Sequence, residues 1–192
     1  MKHYILWTFG LVEAETQTSA KERKCLAKWA KGKKRIVEIG VFHAVNTGLF
    51  RRLCSPDGIV FGIDPFPKGR LGISLHKLIA HKEVNKIKNA TICWLEMTGM
   101  EAAKWYAREE QFPIDFLFVD GDHSYESIKE DWSGWSHLIA RNGIVALHDS
   151  CSSSSRNIEN AGSVIFTREV ILKDLRFQVV DIQDTLTVLE RT

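Results

Sequence analysis

The sequence is poor in the features that mark several classes of protein. Its 192 residues include only four cysteines and four prolines, and no apolar run approaches the roughly 18 residues that a membrane span needs. The cysteines, at positions 25, 54, 93 and 151, are spaced neither as a zinc ribbon nor as a CxxC redox pair. We therefore expect isolated thiols in a reducing compartment, a cytoplasmic location and no attachment to a membrane.

The chain also lacks a large excess of positive or negative charge. The chain has 26 Lys and Arg against 24 Asp and Glu, and a formal net charge of +2 disfavours a nucleic-acid binder. The basic residues are unevenly placed, however, because residues 21–35 contain eight Lys or Arg and one Glu. Two interpretations of this segment stay open: it binds a nucleic-acid partner, or it is the ordinary solvated face of a helix.

The hydrophobic residues that are present suffice for one core. They make up 44% of the chain, and its length suits a single domain, residues 1–192, since domains run to about 100–200 residues. The apolar residues at the start lack a signal-peptide cleavage site. We interpret residues 1–18 as an N-terminal segment that covers the site or an interface. We expect Trp7 and Phe9 to cover the sheet or a partner subunit, which leaves a homo-oligomer open.

Strand-like and helix-like patterns alternate along the chain. Short apolar runs predict strands at 35–40, 59–64, 91–95, 114–119 and 143–147. A capping box at residues 19–22 opens a helix that ends near Ala30. Further helices are predicted from helical spacing at Val45, Leu49, Phe50 and Leu53, at Leu71, Leu75, Leu78 and Ile79, over residues 100–110, and at Ile128, Trp132, Trp135 and Ile139.

This alternation favours the doubly wound α/β class. The predicted strands are continuously apolar, as in a parallel sheet that is covered by helices on both faces. The end of the chain differs, because residues 177–182 and 186–189 flank a short polar turn. That pattern predicts a terminal antiparallel hairpin.

Two features after the first and second strands point to a nucleoside ligand. Gly40 ends the first strand and lets the backbone turn sharply before a helix whose first N–H groups are free. Asp64 ends the second strand, where a carboxylate can accept two hydrogen bonds from a ribose diol. The GxGxxG fingerprint is missing, which argues against a nicotinamide oxidoreductase. Together the two residues favour an adenosine-type ligand.

Two polar clusters follow the fourth and fifth strands. The first contains Asp120, Asp122 and His123, and the second contains His148 and Asp149. Neighbouring strand ends should bring Asp120 and Asp149 close together. Carboxylates beside imidazoles form either a metal site or an acid–base pair, and both interpretations stay open.

Four segments, residues 36–43, 62–65, 118–126 and 143–149, resemble the successive motifs of class I S-adenosylmethionine-dependent methyltransferases. They are similar to the branch that pairs a DGDHxY motif with a later HD and is related to macrocin O-methyltransferase and cephalosporin-hydroxylase-type proteins. The resemblance covers about residues 19–192. It implies a Rossmann-like methyltransferase fold, with a seven-stranded, mostly parallel sheet and an antiparallel last strand, and it implies S-adenosylmethionine as the cofactor.

The resemblance also implies roles for individual residues. Asp64 would hold the ribose hydroxyls, residues 97–99 would lie beside the adenine, and Asp120 would lie under the methyl group. The expected cofactor-binding residues are Glu38, Gly40, Phe42, His43, Asp64, Thr98 and Asp120. The expected catalytic residues are Asp120, His123 and His148.

Two departures from the family pattern bear on the mechanism. Ala44 stands where family members commonly have glycine, and His148 stands where metal-dependent relatives have an acid. A divalent metal (Mg, Mn or another) held by Asp120, His148 and Asp149 is one alternative, and the nitrogen ligand would suit Mn, Fe or Zn better than Mg. The other is transfer without a metal, with His148 or His123 as the base.

The expected function is in-line methylation of a small-molecule hydroxyl, on a sugar or a natural product. The first alternative is a nucleic-acid methyltransferase that uses the basic segment 21–35. The second, motivated by Ala44 and His148, is a protein that binds the cofactor without transferring its methyl group.

Overall fold

Seven strands form one sheet in the computed structural model, which describes residues 2–69, 72–110 and 112–192. The strand order is β3-β2-β1-β4-β5-β7-β6. Strands β1 to β5 are parallel, and β7 runs antiparallel to both β5 and β6, so the predicted fold class is confirmed. The strands are β1 Arg35–Ile39, β2 Ile59–Ile63, β3 Thr91–Leu95, β4 Ile114–Val119, β5 Ile139–Leu147, β6 Phe177–Gln183 and β7 Leu186–Arg191.

Helices cover both faces of the sheet because neighbouring apolar residues of the strands point to opposite sides. Val37 of β1 packs in a core with α5, α6 and α7, whereas Ile36 packs with α2 and α3. Helix α4 closes a smaller cluster beside the loop that follows β1. The helices are α1 Lys2–Thr8, α2 Ala20–Ala30, α3 Val45–Leu53, α4 Leu75–Asn85, α5 Gly99–Glu109, α6 Tyr125–Trp135 and α7 Gly162–Glu169.

Most predicted elements are confirmed to within a residue or two, but one helix prediction is wrong at its end. Helix α6 ends at Trp135, a 3-10 turn follows, and Ile139 begins β5, where it pairs with Ile114. Ile139 is buried under Gly143, so its apolar side chain belongs to the sheet rather than to the helix face. Leu71, predicted to be helical, lies outside the described residues, and α4 begins after the N-cap Ser74.

The ends of β1, β4 and β5 lie side by side. The amide of Gly40 donates to the carbonyl of Ile63, the amide of Asp120 to that of Ile39, and the amide of His148 to that of Val119. The backbone hydrogen bonds of the parallel sheet therefore continue one residue past the end of each of these strands. Gly40 has φ +86°, and a Cβ at this position would overlap the carbonyl of Asp120, so only glycine fits there.

The cysteines and the helix lengths bear on two expectations from the composition. The four cysteines are free thiols. Within the three described ranges, none of the helices combines the length and the apolar character that crossing a bilayer requires.

Candidate active site

A cavity of about 520 Å³ opens at the carboxyl ends of the parallel strands, where α/β sheets bind their ligands. The loops that follow β1, β2, β3 and β4 all contribute to its wall. The lining includes Gly40, Val41, Phe42, Asp64, Met97, Thr98, Gly99, Asp120, Gly121 and Asp122. Five of the seven residues expected to bind the cofactor therefore lie on one cavity wall.

Asp64 orders the loop after β1 and also faces the cavity. Its Oδ2 accepts hydrogen bonds from the amides of Val41 and Phe42, both at 3.1 Å, and its Oδ1 accepts one from Phe66 at 2.7 Å. Phe42 and Ala44 adopt positive φ values of 52° and 62° in this loop. Positive φ is costly for residues other than glycine, and the hydrogen bonds to the Asp64 carboxylate help to stabilise the loop in this shape.

Two of the expected cofactor residues lie behind the cavity wall. Glu38 is buried at the end of β1 and accepts a hydrogen bond from the Thr47 hydroxyl. Burial, together with the charges of Asp120 and Asp64, raises the pKa of Glu38 well above its usual range. His43 is also buried, and its ring stacks on that of Phe42. Thr98 does line the cavity, and its side chain caps helix α5.

The N-terminal segment forms the opposite side of the cavity through residues 15–17. The amide of Glu15 donates to Nδ1 of His43 at 3.1 Å, and the Glu15 carboxylate lies 3.0 Å from His3. Trp7 is buried and donates to Glu83, whereas Phe9 is 76% exposed. Burial and the neighbouring His76 and His3 lower the pKa of His43 to about 4, so a neutral imidazole accepts this hydrogen bond at neutral pH.

His148 lies at the centre of three carboxylates. Its side chain has no exposed surface, and its Nδ1 is 2.7 Å from Oδ1 of Asp120. Its Nε2 lies 3.6 Å from Glu22 and 3.8 Å from Asp149. The predicted proximity of Asp120 and Asp149 is therefore mediated by the imidazole between them.

The three carboxylates favour the protonated form of this imidazole. Burial by itself would lower the pKa of His148, but its contacts with Asp120 and Glu22 and the charge of Asp149 outweigh it and raise the pKa to about 10. Burial would also raise the pKa of Glu22, yet His148 and the donors Ser19 and Thr185 lower it to about 2. An imidazolium has no free lone pair, so His148 in this state is not a general base.

Glu22 belongs to this centre although its sequence context indicates only a helix cap. Its Oε2 accepts from the amide of Ser19, as the capping box predicts, and its Oε1 accepts from the amide and hydroxyl of Thr185. The β6–β7 turn thereby joins α2 at the site. In the sequence, the capping box is a sufficient explanation for Glu22. Only the structure, in which Glu22 is buried beside His148, reveals its second role in this centre.

Asp149 connects the buried centre to the surface. Its Oδ1 accepts from Arg156 at 2.6 Å and from the Thr185 hydroxyl at 2.9 Å. Its Oδ2 lies 3.6 Å from Nε2 of His123, whose side chain is 34% exposed. His123 is therefore a partly exposed imidazole next to Asp149, although it does not line the cavity, whereas the exposed His76 does. Arg156, on the loop that follows, is half-exposed.

The predicted metal ligands Asp120, His148 and Asp149 fit a metal ion poorly. Asp120 is in direct contact with His148, and Asp149 is committed to Arg156 and Thr185. One ligand atom each from Asp120, His123 and His148 lies within 4.8 Å of the others, but coordination by His148 would require it to lose its proton. Metal dependence stays a prediction, and the chemistry proposed for the site does not require it.

Sequence patterns also missed Asp131. It lies on α6, 5% exposed, and lines the cavity beside Gly99 and Gly121. Burial and the charges of Glu130 and Asp122 raise its pKa to about 7. An acid inside an amphipathic helix is usually a solvated surface residue, so the sequence carries no signal that distinguishes Asp131 from Glu130.

The sheet order, the glycine turn after β1 and a cavity at the carboxyl strand ends define a Rossmann-like class I methyltransferase. Residues 37–150 match the family model Methyltransf_24, a methyltransferase domain, and the chain belongs to this family. The resemblance to S-adenosylmethionine-dependent methyltransferases is thereby confirmed.

Known proteins with the same fold agree with this assignment. TomG from Streptomyces achromogenes, an O-methyltransferase of tomaymycin synthesis solved with SAM, superposes with a TM-score of 0.71 at 19% identity, covering 97% of this chain and 86% of TomG. An O-methyltransferase from Bacillus cereus, solved with SAH, gives 0.66 at 17% identity, covering 100% and 90%. At these identities the likeness concerns the fold.

A curated relative comes from Acanthamoeba polyphaga mimivirus. Its uncharacterized protein R132 is 27% identical over an aligned stretch of 122 positions, which covers 59% of this chain and 50% of the viral protein. The chain thus spans about half the length of the curated relative that it matches.

Proposed function

We propose that this chain binds S-adenosylmethionine in the cavity and transfers its methyl group to a hydroxyl of a small molecule. The observation that carries the proposal is the juxtaposition of Gly40, Asp64 and Asp120 on one cavity wall, directly next to the buried His148 centre. A nucleoside site and a set of ionised groups then share one edge of the sheet.

The residues of the cavity fit this cofactor. Gly40 brings the backbone of β1 against that of β4, which leaves room for a ligand over the strand ends. Asp64 keeps acceptor capacity toward the cavity, since each carboxylate oxygen can accept more than one hydrogen bond. The acidic wall formed by Asp64, Asp120 and Asp122 suits a positively charged sulfonium.

We assign two tasks to the residues of the chain: they align the acceptor with the methyl group, and they remove the proton of the acceptor hydroxyl. S-adenosylmethionine supplies an electrophilic methyl group on sulfur. The acceptor oxygen forms its bond to the methyl carbon while the carbon–sulfur bond breaks, and the electron pair stays on sulfur. The hydroxyl proton goes to His123, which is partly exposed, and Asp149 orients that imidazole and stabilises its charged form. Asp120, paired with the His148 imidazolium, lies beside the reacting groups.

Calorimetric titration of the whole chain with S-adenosylmethionine and, separately, with NAD tests the cofactor assignment. We expect binding of the first and none of the second. Release of S-adenosylhomocysteine is then measured with a panel of sugar and natural-product hydroxyls and with RNA oligonucleotides. Absence of S-adenosylmethionine binding would contradict the proposal, and binding without transfer to any acceptor would favour the cofactor-binding alternative.

A His123→Ala substitution is expected to lower kcat by about 100-fold or more, because general-base catalysis contributes about that much. The dissociation constant of S-adenosylmethionine should stay within about twofold, since the proposed base acts on the acceptor. His137→Ala, at an exposed histidine outside the cavity, is the matched control. A His123→Ala variant with the wild-type kcat would exclude this residue as the base.

Ion pairs between lysines of the basic segment 21–35 and acidic residues elsewhere in the chain weaken the nucleic-acid alternative. Lys21, Lys28 and Lys34 lie 3.9, 2.8 and 2.7 Å from Asp184, Asp181 and Asp57, respectively. These ion pairs reduce the positive potential that the sequence count suggests. RNA methylation that falls steeply with salt would favour the alternative.

A further inference from the structure

Two histidines and a glutamate that the proposed methyl transfer does not use lie together at the N-terminal side of the cavity. His3 lies on α1, Glu15 on the connection between α1 and α2, and His43 on the loop after β1. One potential ligand atom from each of the three side chains lies within 4.8 Å of the other two. Because the three residues are distant in the sequence, only the packing of the N-terminal segment against the loop after β1 brings them together.

Glu15 contacts both imidazoles of this cluster. Nδ1 of His43 accepts a hydrogen bond from the amide of Glu15 at 3.1 Å, so this nitrogen carries the lone pair of the ring and points at Glu15. On the other side, Oε1 of Glu15 lies 3.0 Å from Nδ1 of His3. A cation bound between the three side chains would take the lone pair of His43 in place of the Glu15 amide.

The second nitrogen of His3 gives an independent indication of a ligand. Nε2 of His3 is buried and has no hydrogen-bond partner among the residues that the structure describes. Buried polar atoms in proteins almost always have such a partner. The contacts within the chain therefore leave this imidazole with an unused nitrogen beside a carboxylate and a second imidazole.

The ring of His43 is held in a fixed position at this point. It is 3% exposed and stacks on Phe42, with 3.9 Å between the ring centroids. The side chains of His3 and Glu15 are 27% and 57% exposed, so a solvated ion can reach the cluster. One rigid ligand residue and two accessible ones suit an ion that binds from solution.

The donor set selects among divalent cations. Two imidazoles and one carboxylate are a ligand set of zinc, with the fourth position left to water. Mg²⁺ and Ca²⁺ prefer oxygen ligands, which only Glu15 provides among these side chains.

We propose that His3, Glu15 and His43 form a zinc site that fastens the N-terminal segment to the loop after β1. The inference does not rest on the proposed function. Both joined elements line the cavity, the first at residues 15–17 and the second at Phe42. A bound ion would therefore stabilise two parts of the cavity wall against each other.

Calorimetric titration of the whole chain with Zn²⁺, after treatment with a chelator, tests the site. We expect an ion to bind at this cluster and an excess of Mg²⁺ not to displace it. His3→Ala and Glu15→Gln should each weaken zinc binding there by about 100-fold or more, since even residues that only orient a ligand contribute about 10–100-fold. His137→Ala, at an exposed histidine outside the cluster, should keep the wild-type dissociation constant.

Two further measurements assign the ion to this cluster. The atoms of Asp120, His123 and His148 form a second group that could bind zinc, and His123→Ala should leave the affinity of the N-terminal site unchanged. Zinc should slow hydrogen exchange of residues 10–18 in the wild type and not in Glu15→Gln.

The inference would be overturned if the wild type bound no zinc, or if His3→Ala and Glu15→Gln bound it as tightly as the wild type. Zinc binding that is lost in His123→Ala but kept in Glu15→Gln would also overturn it. Binding of S-adenosylmethionine, measured separately, decides the proposed function whatever the result with zinc.

Discussion

The Asp120→Asn variant is expected to lose methyl transfer, with kcat lowered by about 1,000-fold, the effect of removing a preorganised charged group from an active site. Asp120 is the only one of the three carboxylates around His148 that also lines the cavity, as far as the described residues show. Asparagine keeps the size of the side chain but removes the charge that faces the imidazolium and the reacting groups. Steady-state release of S-adenosylhomocysteine measures this effect.

A contrasting variant, Asp64→Ala, separates chemistry from cofactor binding. It should raise the dissociation constant of S-adenosylmethionine by about 10-fold or more, because a charged acceptor that orders the loop after β1 is lost. At saturating cofactor its kcat should fall much less than that of Asp120→Asn. Asp57→Asn, an exposed acid paired with Lys34, is the control. If both site variants kept wild-type turnover and cofactor affinity, the assignment of the site would be wrong.

The second large effect concerns stability. His148→Ala is expected to lower the free energy of unfolding by about 3–5 kcal/mol, the usual cost of removing one member of a buried ion pair. The substitution leaves Asp120, Glu22 and Asp149 close together without the cation between them. Urea denaturation at pH 6 measures this loss. His137→Ala, on the surface, should change the free energy of unfolding by less than about 0.5 kcal/mol.

The pH dependence of this loss has a definite sign. The pKa of His148 is raised from 6.5 to about 10 in the folded chain. The imidazolium therefore contributes its full stability below about pH 6.5 and loses it as the pH rises toward 10. The difference between wild type and His148→Ala should be largest near pH 6 and should narrow between pH 7 and 10. A difference that grows with pH would contradict a protonated His148.

Residues that directly follow a strand were predictable from the sequence. Gly40, Asp64 and Asp120 each end an apolar run, and parallel strands bring such positions to one edge. Glu38 and His43 lie in the same motif but are buried behind the wall, because neighbouring residues of a strand or tight loop point to opposite sides. Sequence motifs locate a loop, but they do not determine the side on which each of its side chains lies.

Residues contributed by helices and by the hairpin were not predictable. Glu22 and Thr185 are far apart in the chain, and they meet only because β7 pairs with β5 at the centre of the site. Asp131 and its neighbour Glu130 both line the cavity, and only the packing of α6 on α5 makes Asp131 buried and leaves Glu130 exposed.

The sequence by itself determined the α/β class, the seven-stranded, mostly parallel sheet that the family resemblance implied, and the residues at the carboxyl ends of the strands, because these depend on local periodicity and on short motifs. Only the tertiary structure decided that His148 is buried among three carboxylates, that His123 beside Asp149 is partly exposed and that Asp131 lines the cavity. The physical reason is that protonation and accessibility depend on burial and on charges brought from distant parts of the chain, which no local pattern records.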